Sequence, residues 1–163
     1  MSAEDREFPE RTNWCQSVGG VLLHDNRVLL TRHTYGPGKG KLIIPGGYVL
    51  KGESPEQALV REFLEETGIS VQPLGLLGVR FNPKDWYVIF LAAYRDGVPR
   101  SDGDENSEVL WMDAKQALLH DDVPDLSKLL IRRAVENGGL FCSTPYRSSI
   151  KADFTSLYTM LPD

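Results

Sequence analysis

Gly47–Ile69 reads GYVLKGESPEQALVREFLEETGI, and this stretch decides how the rest of the chain is placed. Ser54 is of the type that caps helix N-termini, Pro55 suits the first helical position, and Gln57 stands where a capping-box partner belongs. Gly68 is placed to end the helix in a left-handed conformation. The spacing predicts a helix over Pro55–Thr67. Glu62, Glu65 and Glu66 then share one side, with Ala58 a turn before them. Val60, Phe63, Leu64 and Thr67 fall on the other side, where a core could bury them. Like charges at these spacings cost roughly 0.2–0.5 kcal/mol per pair. A solvated acidic face usually pairs its glutamates with lysines, and here the helix has only Arg61.

The residues just before the helix sharpen its reading. Ile43-Ile44 is a short apolar strand running into the turn Pro45-Gly46-Gly47, whose backbone carbonyls can approach the carboxylate face. Hard divalent cations such as Mg²⁺ take oxygen ligands of this kind, carboxylates and carbonyls completed by water and substrate phosphates. No histidine or cysteine lies in the stretch, which argues against zinc.

Gly47, Glu53, Arg61, Glu62, Phe63, Glu65, Glu66, Gly68 and Ile69 fill every defined position of the pattern G-x5-E-x7-R-E-U-x-E-E-x-G-U, where U is bulky and apolar. The stretch therefore resembles a complete Nudix box. Phe63 is aromatic where an aliphatic residue is more usual, a departure that concerns packing. The resemblance is strict over the box and looser over Val18–Leu119, where it rests on the order of elements. It implies an α/β fold, the Nudix-type α/β/α sandwich with a mixed sheet, which the pattern of elements alone would not specify.

At 163 residues the chain suits one domain with a full core and is short for two. A net charge of −5 gives no support to a general nucleic-acid binder, whose footprint would be basic. No apolar run approaches the roughly 18 residues of a membrane span, and the N-terminus lacks the apolar segment of a signal peptide, so the cytoplasm is the expected location and no membrane partner is expected. Cys15 and Cys142 are too few and too far apart for a disulfide scaffold and are expected to be free thiols.

In chain order, residues 1–13 form a polar arm and residues 14–137 the expected domain. Trp14–His24 and Arg27–Thr34 read as strands of a hairpin turning at Asp25-Asn26, with Gly19 and Gly20 permitting close backbone approach. Tyr35–Lys41 is a glycine-rich loop without the spacing of a P-loop. Val71–Phe81 reads as a strand with bends at Gly75 and Gly78, and Asn82–Asp85 as a turn. Trp86–Tyr94 has the composition of a central strand, closed by a turn at Arg95-Asp96-Gly97. Ser101–Ser107 is an acidic loop leading to a strand over Glu108–Met112. Helices are expected near Ala114–Leu119 and Ser127–Glu136, the latter ended by Gly138-Gly139. In the extension 138–163, Ile150, Phe154, Leu157, Tyr158 and Leu161 recur at helical spacing. That pattern predicts an amphipathic helix over Ser149–Leu161, packed on the domain or at a homodimer interface.

The Nudix resemblance also implies a site. The glutamates matching Glu62, Glu65 and Glu66, with the Gly46 carbonyl, are the family's metal ligands for Mg²⁺ or Mn²⁺. Arg61 orients them and Glu53 supports the site. A further acid from a later loop serves as ligand or general base. Position before Trp111 favours Glu105, then Glu108, with Asp102 and Asp104 as nearby competitors for that role, and the base is left between Glu62 and Glu105.

Substrate markers conflict. Pro83 lies near the place associated with ADP-ribose hydrolases and Tyr87 near that associated with dinucleoside polyphosphate hydrolases. Leu29–Arg32 resembles the start of a coenzyme A-hydrolase motif, but His33 replaces its arginine, and the segment typical of NADH hydrolases is absent. Leu42 stands where the family commonly has a tryptophan. Candidate base-stacking residues are Tyr35, Phe81 and Trp86, and candidate phosphate cations are Arg32, Lys39 and Arg80. The expected activity is a metal-dependent pyrophosphohydrolase acting on a nucleoside diphosphate linked to another moiety. The alternatives are a nucleoside triphosphate sanitising enzyme and a non-catalytic nucleotide sensor.

Overall fold

The computed structural model describes residues 13–136, 140–144 and 156–160. Its elements are β1 (Cys15–His24), β2 (Arg27–His33), β3 (Leu42–Ile43), β4 (Gly46–Tyr48), α1 (Pro55–Thr67), β5 (Ile69–Asn82), β6 (Asp85–Gly97), β7 (Asn106–Asp113), α2 (Ala114–Leu119), α3 (Asp125–Val135), β8 (Phe141–Thr144) and β9 (Leu157–Met160). The strands run in the order β3-β2-β1-β6-β5-β8-β9, with β4 also on β1 and β7 also on β2. The sheet is mixed, because β1 and β6 pair in parallel while β5 and β6 are antiparallel.

β1 divides its pairing. Ser17–Gly19 pair with β4, and only Leu23 and His24 reach β2 across the turn at Asp25 and Asn26, both with positive φ. The expected hairpin is thus a short corner. It lets the chain return from β4 into α1 beside the start of β1.

Side-chain alternation builds a core on each face of the sheet. Val18, Leu22, Leu29 and Phe90 pack with Leu59 and Phe63 of α1, while Val21, Val28, Leu30 and Ile89 pack with Ala117 and Ile131 of α2 and α3. Helices on both faces of one mixed sheet make an α/β/α sandwich. Gly20 lies beneath Phe63, where an added Cβ would come within 2.8 Å of the ring.

Three sequence expectations change. Leu64, expected in the core, is 51% exposed, while Ala58 and Glu66, expected on the open acidic side, are buried. The buried stripe of α1 runs through Leu59, Phe63 and Glu66, and Leu64 lies one step around the helix from it. Arg95-Asp96-Gly97 does not turn. It continues β6, pairing with Ser70 and Ile69, because Gly97 at φ 107° can lie against the Gly68 backbone. Leu157–Met160, expected to be helical, is a strand that pairs with β8 at the outer edge of the sheet. There β8, itself paired to β5, offers an edge of backbone partners that local periodicity does not reveal. Residues 149–155 and Leu161 of that predicted helix, Gly138-Gly139 and the arm over 1–12 lie outside the described residues. Cys15 and Cys142 are both free thiols. No described helix is long and apolar enough to cross a membrane.

Candidate active site

α1 is held at both ends as its sequence dictates. Ser54 Oγ accepts from the Gln57 N–H at 3.2 Å, the Gln57 side chain accepts from the Ser54 N–H at 2.9 Å, and Gly68 sits at φ 72° with its N–H on the Leu64 carbonyl. This capping fixes where the helix begins and ends, and its regular repeat then sets which acidic side chains share a side.

Arg61 is the hub of that acidic face. It donates to both carboxylate oxygens of Glu53, at 2.6 and 3.0 Å, to Glu62 at 2.7 Å, to Glu65 at 3.1 Å and to the Tyr48 carbonyl at 2.9 Å. Glu53 also accepts from the Leu50 N–H at 3.0 Å. The Arg61 hydrogen bonds hold the Glu53 carboxyl below its usual range. The like-charge cost anticipated on the helix is thereby offset by one guanidinium. A Cβ at Gly47 would displace the Glu62 carboxylate from its place beside Arg61, and one at Gly46 would meet the Val18 carbonyl.

Glu66 differs from its neighbours. Its side chain is buried, its Oε2 has no hydrogen-bond partner, and its pKa is pushed up to about 8. Burial is the main cause, the charge of Glu62 comes next, and the Gly46 N–H opposes both. Glu105 is likewise raised by burial and then by Glu62.

These groups line a cleft of about 770 Å³. Glu62, Glu65, Glu66 and Arg61 come from α1, and Asp102, Asp104 and Glu105 come from the loop before β7. Tyr35, Tyr48 and Leu50 stand at its mouth, and Ser17, Asp85 and Tyr87 form the wall at the start of β1 and β6. His33 also faces the cleft and stacks on Tyr35 with centroids 6.3 Å apart. Burial pushes its imidazole pKa down, against the charge of Asp102.

Other anticipated residues are not brought together there. Arg32 is bound to Glu108, Asp122 and the Gly40 carbonyl at 2.8, 2.9 and 2.9 Å, away from the cleft lining. Glu108 is therefore half of an ion pair, and Lys39 does not line the cleft either. Phe81 and Trp86 meet edge to face at 5.1 Å in an exposed cluster with Trp14. Arg80 pairs with Asp85 at 2.8 Å and lies over the Tyr87 ring. It lines a side chamber of about 270 Å³ that shares Ser17, Ile43, Ile44 and Tyr87 with the cleft. In the acidic loop, Thr34 Oγ1 donates to the Asp104 and Glu105 carbonyls, and the Asp102 carboxylate accepts from the Asp104 and Asn106 N–H groups.

Sequence reasoning missed Ser17, His33, Tyr48 and Asp85 as cleft residues. Ser17 donates to Asp85 across 68 positions at 2.9 Å, and nothing local signals that pairing. For Tyr48 and His33, adjacency to the box and to Tyr35 was the available hint.

Among the described residues, no three acidic, histidine or cysteine side chains converge as a ready-made metal group. Arg61 accounts for this by drawing Glu62 and Glu65 onto itself. The donor chemistry nevertheless suits a hard divalent cation, because a buried carboxylate with an unpartnered oxygen needs a positive partner.

A family model described as NUDIX domain matches residues 14–133. The chain is 43% identical over 67 residues to an ADP-ribose pyrophosphatase of Methanocaldococcus jannaschii, covering 41% of this chain and 40% of that protein. It is 30% identical over 121 residues to the NAD-capped RNA hydrolase NudC of Vibrio atlanticus, covering 72% of this chain and 42% of that protein. The chain thus spans about two fifths of the length of these curated relatives. The crystal structure of a NUDIX hydrolase from Nitrosomonas europaea superposes with a TM-score of 0.70 at 26% identity, covering 79% of this chain and 74% of that one.

Proposed function

The chain belongs to the NUDIX family, and from that premise we propose that it is a divalent-metal-dependent pyrophosphohydrolase cleaving a nucleoside diphosphate linked to a second moiety. One observation carries the reading. The described cleft lining holds seven carboxylates against the single guanidinium of Arg61, which is already bound to three of the acids around it. A site for phosphate anions cannot function with that balance unless cations enter with the substrate. Glu62, Glu65 and Glu66 would hold Mg²⁺ or Mn²⁺, which supplies charge neutralisation on the phosphates and a more acidic water.

The chain's own groups divide the remaining work. Arg61 and Glu53 fix the directions of Glu62 and Glu65. Glu105, or Glu62 in the same cleft, accepts the proton of the attacking water; burial and the charge of Glu62 raise the Glu105 pKa and so make it a stronger base. Tyr35 at the mouth offers a face for stacking. The side chamber, with apolar walls from Ile43, Ile44 and Leu130 and the buried, unpartnered Nε of Arg80, suits a flat heterocycle with a hydrogen-bond acceptor on its edge. The names of the relatives, an ADP-ribose pyrophosphatase and an NAD-capped RNA hydrolase, agree with a diphosphate-linked substrate.

The test is a panel of ADP-ribose, NADH, dinucleoside polyphosphates, NAD-capped RNA and nucleoside triphosphates, with Mg²⁺ and with chelator, read by chromatography of the nucleotide products. Mg²⁺-dependent release of a nucleoside monophosphate from a diphosphate-linked compound is the expected result. Release of inorganic pyrophosphate from triphosphates alone would move the chain to the sanitising class, and tight binding without turnover would make it a sensor.

A further inference from the structure

Asn106, the first residue of β7, is 1% exposed and joins the acidic loop to the catalytic helix. Its Nδ2 donates to the backbone carbonyl of Glu66 at 2.8 Å, across 40 positions of sequence. Its own N–H donates to Asp102 Oδ1 at 3.1 Å, and its carbonyl accepts from Ser101 Oγ at 2.7 Å. The Glu66 carbonyl belongs to the last turn of α1, where the helix leaves its carbonyls without internal partners. The Arg100 N–H satisfies the next one, Thr67, at 2.9 Å.

The opposite side of the loop is also fastened. The Thr34 N–H and Oγ1 donate to the Glu105 carbonyl at 3.1 and 3.0 Å. Glu105 therefore sits between two anchors, one at Thr34 just past the end of β2 and one on the residue that carries the buried carboxylate of α1. A register shift between Arg32 and His33 places His33 opposite Asn106, so that the loop enters the cleft while Glu108, two residues on, stays with Arg32 outside it.

We propose that Asn106 is a positioning residue for hydrolysis: by tying the Glu105 loop to the Glu66 carbonyl, it sets the separation of the Glu105 and Glu66 carboxylates, which line the same cleft. The inference rests on the catalytic reading above, in which Glu105 takes part in the chemistry. A simpler role, capping α1 and nothing more, would cost stability without concerning Glu105.

The experiment is a double-mutant cycle on the full chain, using whichever compound of the panel wild type cleaves, with saturating Mg²⁺. Asn106→Ala in the wild-type background is expected to lower kcat by roughly 10–100-fold, the scale of a small misplacement of a reacting group, with KM changed by less than about threefold. In a Glu105→Gln background the same change is expected to cost less than about twofold, because the group it positions is already disabled. Asn106→Ser, which keeps a small polar side chain too short to reach Glu66, should behave likewise and stands in if the alanine variant does not fold. Equal losses in both backgrounds, or an unchanged kcat, would overturn the positioning role. Hydrogen exchange at the Asp104–Asn106 amides checks the tether without any turnover: faster exchange in Asn106→Ala is expected, and unchanged exchange overturns it. A wild-type chain that cleaves nothing on the panel sinks the catalytic reading and the positioning role with it, an outcome distinct from an active wild type with additive losses.

Discussion

Arg61 grips both carboxylate oxygens of Glu53, at 2.6 and 3.0 Å, from eight residues away on a neighbouring turn of chain. Both side chains are largely shielded, at 23% and 19% exposure, and Glu53 is further held by the Leu50 N–H. A planar fork is required for this geometry, and lysine cannot reproduce it. Arg61→Lys is therefore expected to keep the fold but lower kcat by about 10–100-fold, the usual penalty for disturbing groups that orient metal ligands. Unchanged steady-state rates with Mg²⁺ would show that the hub is structural only.

Glu66 links metal-free stability to pH. Its folded pKa of about 8 lies above the ordinary carboxylate value, so between about pH 4.5 and 8 the folded chain retains a proton that the unfolded chain has released. Stability should fall as pH rises through that window, by at most about 1.4 kcal/mol per pH unit from this group. Urea unfolding of chelator-treated protein at pH 5 and pH 8 should show the fall, and Glu66→Gln should flatten it. A slope that survives in the variant belongs to other groups.

Glu105 and Glu108 should separate cleanly. Glu105 lines the cleft, whereas Glu108 spends its charge on Arg32. Glu105→Gln should reduce kcat by roughly 10²–10⁴-fold, the span of losing a general base, with a near-normal melting temperature. Glu108→Gln should leave the rate unchanged and alter stability by no more than about 1 kcal/mol, as for other exposed ion pairs. The reverse ranking would mean that the cleft rearranges when substrate binds.

Tyr158 of the C-terminal hairpin donates to Glu56 Oε1 at 2.7 Å and meets Phe90 edge to face at 6.0 Å. Tyr158→Phe keeps the ring contact and removes the hydrogen bond to the first turn of α1. A loss of about 1 kcal/mol, or roughly 2–4 °C in melting temperature, is expected with kcat unaffected. A large fall in kcat would mean that the hairpin governs the catalytic helix.

What the sequence determined by itself was local. Ser54, Pro55, Gln57 and Gly68 define α1 through interactions within a few residues of each other, and the helical repeat then fixes which glutamates can share a side. Gly46 and Gly47 were legible as points of close approach for the same reason. Tertiary structure decided everything that depends on partners far away in the chain. The burial of Glu66 and the exposure of Leu64 follow from how α1 is rolled on the sheet, a choice that Phe63 against Gly20 makes and periodicity cannot. The meeting of Ser17 with Asp85, the diversion of Arg32 to Glu108, and the entry of Glu105 into the cleft all follow from strand pairing and one register shift. Leu157–Met160 became a strand because β8, itself paired to β5, presented an edge to it. A backbone edge of that kind stabilises a strand in sequences whose own spacing reads as helix, because its hydrogen bonds are supplied from outside the segment.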